Sequence, residues 1–194
     1  MKTLRISAFF SLILLVSVTA FGQKIRVKDG DRDVLKNETT INIEFTYDNM
    51  KVGKYDKEQD YINTKKADYN KKESGKGDTW AKTWEDDKEA RYEPDFRDFF
   101  QKTSNMKISR DAKYTLIFHT TFIEPGFNIG FTSKSARIDA EATIVETADK
   151  SKAVTKLTID NAPGRSFFGN DYATGERISG AYQRAGQELA LYLK

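Results

Sequence analysis

Two glycine-aromatic runs carry the residues best suited to binding. The first reads Gly126-Phe127-Asn128-Ile129-Gly130-Phe131. The second reads Pro163-Gly164-Arg165-Ser166-Phe167-Phe168-Gly169-Asn170-Asp171-Tyr172. Aromatic rings on loops bring large contact area with few rotors, which is what a ligand or partner surface requires. Phe127, Phe131, Arg165, Phe167, Phe168 and Tyr172 are therefore the candidate binding residues. A competing reading tucks the same rings under the sheet edge, because loops that bridge strands to a covering helix lend residues to the core.

Catalytic chemistry is harder to place. His119 is the only histidine. It falls inside a strand pattern, where it could serve as a buried general base and where the pattern alone also accounts for it. A lone histidine cannot assemble a multi-histidine metal site, and without cysteine no zinc site of ordinary composition is available. Glu85, Asp86, Asp87 and Glu89 invite comparison with a glycosidase pair, which needs one desolvated carboxyl and a second across a cleft. They are interleaved with Lys82, Lys88 and Arg91 at helical spacing, the pattern of a solvated face. Asp29, Asp31 and Asp33 open like a calcium loop. Val34 then stands where that loop needs glycine, and Thr40 where it needs a bidentate glutamate. Gly75-Lys76-Gly77-Asp78-Thr79 lacks the spacing of a phosphate loop and reads as a helix-breaking linker. Ser104-Asn105-Met106-Lys107 has Ser-x-x-Lys spacing without companion motifs, and there is no Gly-x-Ser-x-Gly elbow. No catalytic residue, metal site or cofactor is assigned.

The elements that would position these groups follow from periodicity. Ile25 and Val27 alternate with charges up to a turn at Asp29-Gly30-Asp31. Ile41, Ile43, Phe45 and Tyr47 share one face of a second strand with a polar opposite face, the pattern of a half-exposed antiparallel strand. Asp56 to Lys72 reads as a helix with Tyr61, Ile62, Lys65 and Tyr69 near one face. Asp78 or Thr79 would cap a second helix carrying Trp80 and Trp84 at i, i+4. Pro94 suits a first turn, and Phe96, Phe99 and Phe100 follow at helical spacing. Tyr114 to Ile123 is apolar on both faces, with Leu116, Phe118 and Phe122 on one and Ile117 and Ile123 on the other. That predicts a central strand covered on both sides. Arg137 to Thr147 turns Ile138, Ala140, Ala142 and Ile144 inward. A turn at Asp149-Lys150-Ser151 leads to a strand with Leu157 and Ile159, and a helix runs from about Thr174 to Leu193. The fold expected is α+β: a single antiparallel or mixed sheet of about five strands, a helical block after the second strand, and a C-terminal helix packed on one face.

Met1 is followed by Lys2 and Arg5, an apolar run from Ile6 to Val18, and small residues at Ala20 and Gly22. These are the three regions of a secretory signal peptide, in a run too short and too serine-containing to span a bilayer. Residues 1–22 are thus read as signal peptide and 23–194 as one α+β domain of about 170 residues. The absence of cysteine rules out disulfides and lipidation at a cysteine. Removing Lys2 and Arg5 from the formal charge of +3 leaves +1 on the mature side chains. A near-neutral chain with well-mixed signs has no global electrostatic reason to bind nucleic acid. With no second long apolar run, no transmembrane segment is expected after cleavage.

The run Tyr47-Asp48-Asn49-Met50-Lys51-Val52-Gly53-Lys54-Tyr55, with Asp60-Tyr61-Ile62, Gly75-Lys76-Gly77-Asp78-Thr79-Trp80 and Tyr92-Glu93-Pro94-Asp95-Phe96, resembles a family of small secreted proteins of unknown function. That family is found mainly in Bacteroidetes-type Gram-negative bacteria. The resemblance covers most of the mature chain and implies a periplasmic or secreted address, but no catalytic residues. The element order also resembles, in topology alone, the N-terminal domain of the periplasmic Tol-system protein. The leading reading is an exported, non-enzymatic envelope protein that binds a partner, an envelope protein or a glycan, through the glycine-aromatic loops. The alternatives are a cell-wall or glycan hydrolase with an unplaced carboxylate site, and a structural subunit of an envelope assembly that uses the two-tryptophan helix or a strand edge.

Overall fold

A computed structural model describes residues 22–128, 131–165 and 174–194. β1 (Lys24–Gly30) leads through a 3-10 turn at Arg32–Leu35 to β2 (Thr40–Thr46) and the short β3 (Lys51–Val52). The helical block follows: α1 (Glu58–Lys72), α2 (Lys76–Asp87), a π turn at Lys88–Tyr92, and α3 (Glu93–Ser104). Next come β4 (Lys107–Ile108), β5 (Tyr114–Glu124), β6 (Phe127–Asn128) and β7 (Ser133–Lys134). β8 (Arg137–Glu146), β9 (Asp149–Pro163) and α4 (Thr174–Tyr192) complete the described chain.

The fold is α+β. Seven strands form one mixed sheet in the order β1-β9-β8-β5-β2-β4, with β3 also pairing with β5 beyond the end of β2. β6 and β7 make a separate hairpin. The sheet exceeds the five strands expected because β3 and β4 have two residues each, too few to show a period. β2 pairs in parallel with both β4 and β5, not antiparallel as its alternation suggests. The whole helical block lies between β2 and β5, and a crossover of that length returns the chain in the same direction. At the other end Asp149–Ser151 belongs to β9, so the tight turn sits at Thr147-Ala148, between Glu146 and its partner Asp149.

β5 is central, but the sheet is covered on one face only. Leu116 and Phe118 are fully buried under the helices, while Ile117 and His119 are half-buried on the open face. The register against β8 slips between Thr120 and Phe122. That bulge reverses the alternation, so Ile123 joins the buried face and Phe122 moves to the open one beneath the Arg137 guanidinium, 4.6 Å from its ring centre.

Phe45, Phe96, Phe118 and Tyr182 pack ring to ring between sheet and helices, with centroid separations of 4.5 to 6.0 Å. α1 and α2 meet at Gly75, whose φ of 82° turns the chain. α2 starts at Lys76, upstream of the expected Asp78 or Thr79 cap. The Asn70 side chain does the capping work from α1: its Oδ1 accepts from Gly77 N at 2.7 Å and its Nδ2 donates to Asp78 Oδ2 at 3.0 Å. Where Pro94 marks the first turn of a further helix, a π turn carries the helical backbone on from α2 without a break. Pro94 comes one residue after it; in a regular turn its ring would clash with the carbonyl one turn back and its missing N–H would leave that carbonyl without a donor, which a widened turn accommodates.

Candidate functional site

Pro125-Gly126 turns the end of β5 into the β6–β7 hairpin. Gly126 has a φ of 66°, and a side chain there would run into the Lys134 carbonyl, so the crossing requires glycine. Lys134 closes onto Glu124 at 2.5 Å. On this hairpin Phe131 is 94% exposed and Phe127 38% exposed. The second loop leaves β9 at Pro163. Gly164 N donates to the Ala136 carbonyl at 2.7 Å, and Arg165 N to the Arg177 carbonyl at 3.2 Å. The exposed Arg165 side chain donates to Gln183 Oε1 on α4 at 2.6 Å.

The bases of the two predicted loops therefore meet, since Gly126 and Gly164 both crowd the fully buried Ala136. Buried Arg177 ties this end together, donating to the Pro125 carbonyl at 3.4 Å and to Thr174 Oγ1 at 2.9 Å. Phe167, Phe168 and Tyr172 lie outside the described residues.

A cleft of about 520 Å³ opens between α2 and the start of α4, lined in part by Gly75, Lys76 and Thr79 of the run read as a helix-breaking linker. Trp80, Trp84 and Asp87 stand at i, i+4 and i+7 of α2 and so share one stripe. Both indoles are largely buried, with Tyr61 packed on Trp84 at 4.9 Å and Tyr69 on Trp80 at 5.7 Å between ring centres. Trp84 Nε1 donates to Glu58 at 2.6 Å, and Lys88 from the π turn reaches the same carboxylate at 3.0 Å. Asp87 is 8% exposed. Arg91 Nε lies 2.7 Å from its Oδ1, and its Oδ2 fills the space that a side chain at Gly175 would take. Only glycine in the first turn of α4 lets the carboxylate stand there.

No protein-family model matches the chain, and no curated protein matches its sequence. Two solved structures are similar to it over 84% of this chain and 96% of theirs. One is a PelC dodecamer from Paraburkholderia phytofirmans, at 9% identity and a TM-score of 0.37. The other is a single-substitution variant of that dodecamer, at 10% identity and the same TM-score.

Three members of the acidic cluster behave as a solvated face: Glu85 pairs with Lys88 at 2.7 Å, Asp86 with Lys82 at 2.5 Å, and Glu89 is exposed. Asp87 is the exception, because the stripe it shares with the tryptophans turns inward. The same inward turn corrects the two-tryptophan helix as an outer contact surface. His119 sits on the open face with Nδ1 2.8 Å from Thr46 Oγ1. Among the described residues no group of three or more His, Asp or Glu side chains could hold a metal ion.

Burial raises the pKa of Asp87 above its ordinary 3.8, more than the nearby Arg91 lowers it. Its contribution to stability is therefore complete below the unfolded value and is withdrawn as pH rises through the folded one. Asp87→Asn cannot ionise. Its melting temperature is expected to gain on the wild type between about pH 3 and about pH 7 in paired melts. A variant that loses ground over that range would contradict the assignment.

Proposed function

We propose that the protein is exported to the cell envelope and binds a protein partner there, without catalysis, through the loop end built on Ala136. The observation that carries this reading is the meeting of the bases of both loops over Ala136 at one end of the sheet, with Phe131 almost fully exposed. Exposed aromatic rings on a turn supply the contact area on which partner surfaces concentrate their energy. Phe127 on the same hairpin and the exposed Arg165 at the base of the second loop supply the aromatic and guanidinium chemistry that partner surfaces favour. The signal-peptide pattern of residues 1–22 and the resemblance to secreted proteins support the address. Among the described residues no helix is long and apolar enough to cross a membrane.

The test is capture from envelope extract, quantified against the wild type. Phe131→Ser removes an exposed ring, so its melting temperature should stay within about 1 °C while capture of the principal partner falls roughly tenfold or more. Unchanged capture by a folded variant would remove the hairpin from the reading.

A second reading, a glycan hydrolase, has Asp87 in its favour as a buried carboxyl with a raised pKa beside a cleft. The mechanism needs another carboxylate across from it. Among the described residues the other carboxylate lining the cleft, Glu73, is paired with Lys76 at 3.0 Å. Binding is therefore the better-supported activity.

A further inference from the structure

We propose that the cleft between α2 and the first turn of α4 is a binding site for a neutral, hydroxyl-rich ligand, a small saccharide. The site is separate from the hairpin and does not depend on its role. The volume of about 520 Å³ falls within the range of small-molecule sites and accommodates one or two sugar rings. Trp80 and Trp84 form one wall, held rigid by Tyr61 and Tyr69 behind them. Both indoles are largely buried, so what they present to the cleft is a fixed apolar edge that a sugar C–H group can meet with no rotor to freeze.

The polar lining selects the rest of the ligand. Thr79 Oγ1 donates to the Gly75 carbonyl at 3.2 Å and Thr83 Oγ1 to the Thr79 carbonyl at 3.0 Å. Each hydroxyl has thus given its proton to the helix and keeps lone pairs for a donor in the cleft. Asp87 adds a carboxylate, a still stronger acceptor. The cleft therefore asks for hydrogen-bond donors. It does not ask for charge, because Asp87 is compensated by Arg91 at 2.7 Å and Glu73 by Lys76 at 3.0 Å. A bound cation or anion would lose its hydration without meeting an uncompensated counter-charge. Hydroxyl groups meet both conditions.

The chain has two tryptophans, and both line this cleft, so intrinsic tryptophan emission reports it without labelling. The mature protein is titrated separately with cellobiose, chitobiose and maltose, and with putrescine and inorganic phosphate as charged probes. At least one disaccharide is expected to give a saturable change below about 10 mM, with neither charged probe doing so. Asp87→Asn removes the charged acceptor while keeping the shape, and should weaken binding roughly tenfold or more. Thr83→Arg, on an exposed position of the rim, should abolish the response by occupying the cleft, and it tests the proposal should Asp87→Asn fail to fold. No response to any of the three disaccharides would overturn the assignment. So would a response to putrescine or phosphate in their place, or a disaccharide response that survives in folded Thr83→Arg.

Discussion

Phe118→Ala is expected to destabilise the protein by about 3–5 kcal/mol, a large part of what a domain of this size possesses. Phe118 is fully buried, and Phe45, Phe96 and Tyr182 pack around it with ring centres 4.5 to 6.0 Å away. Removing the ring opens a cavity bounded by a central strand and two helices, none of which can collapse into it without moving the others. For a chain of this length the melting temperature should fall by roughly 10 °C. The informative control is Phe122→Ala. Simple alternation along β5 places Phe122 with Phe118 in the core, but the bulge after Thr120 sends it to the open face under Arg137. Its loss should therefore be near 1 kcal/mol, mostly of cation–π and partial burial. Equal losses for the two variants would mean that the bulge is absent.

Gly186→Ala should destabilise, against the usual direction of such a change. In a helix interior glycine is less favourable than alanine by about 1 kcal/mol, so the substitution ordinarily stabilises. Here α3 lies so close that a Cβ on Gly186 would sit 2.5 Å from the Phe96 carbonyl oxygen and 3.3 Å from Phe100 N. Both are backbone atoms of a regular helix and cannot rotate aside. The two helices must separate, and Phe96 and Phe100, both fully buried on α3, move with them. The overpacking penalty of about 1–3 kcal/mol should exceed the propensity gain. Chemical denaturation reads the sign directly, and a higher midpoint for Gly186→Ala would refute the close approach of α3 and α4.

The candidate site was legible in part. The spacing of glycines and aromatics marked the hairpin and the Arg165 loop, because a chain that needs both a sharp turn and an exposed ring must write both into a few residues. Their meeting over Ala136 was not legible, since it depends on β5, β8, β9 and α4 ending at the same edge. The cleft left a fainter mark. Trp80, Trp84 and Asp87 at i, i+4 and i+7 put a carboxylate on an aromatic stripe, while the lysines around it gave the segment the look of a solvated face. What buries Asp87 is Gly175, at the far end of the chain in sequence.

By itself the sequence determined the longer elements and their order, the residues that face inward on β2 and β8, and the lack of disulfide and of multi-histidine chemistry. Those are local matters: a period of two or 3.6, a glycine or proline at a turn, a residue type present or missing. The tertiary structure alone decided that β2 runs parallel to β5, that a bulge exchanges Phe122 for Ile123 in the core, and that Asp87 leaves the solvated face for the start of α4. Each of these depends on which distant segment arrives as neighbour. Periodicity states that a face will be buried, but the segment that buries it is chosen by packing and backbone pairing across the whole sheet.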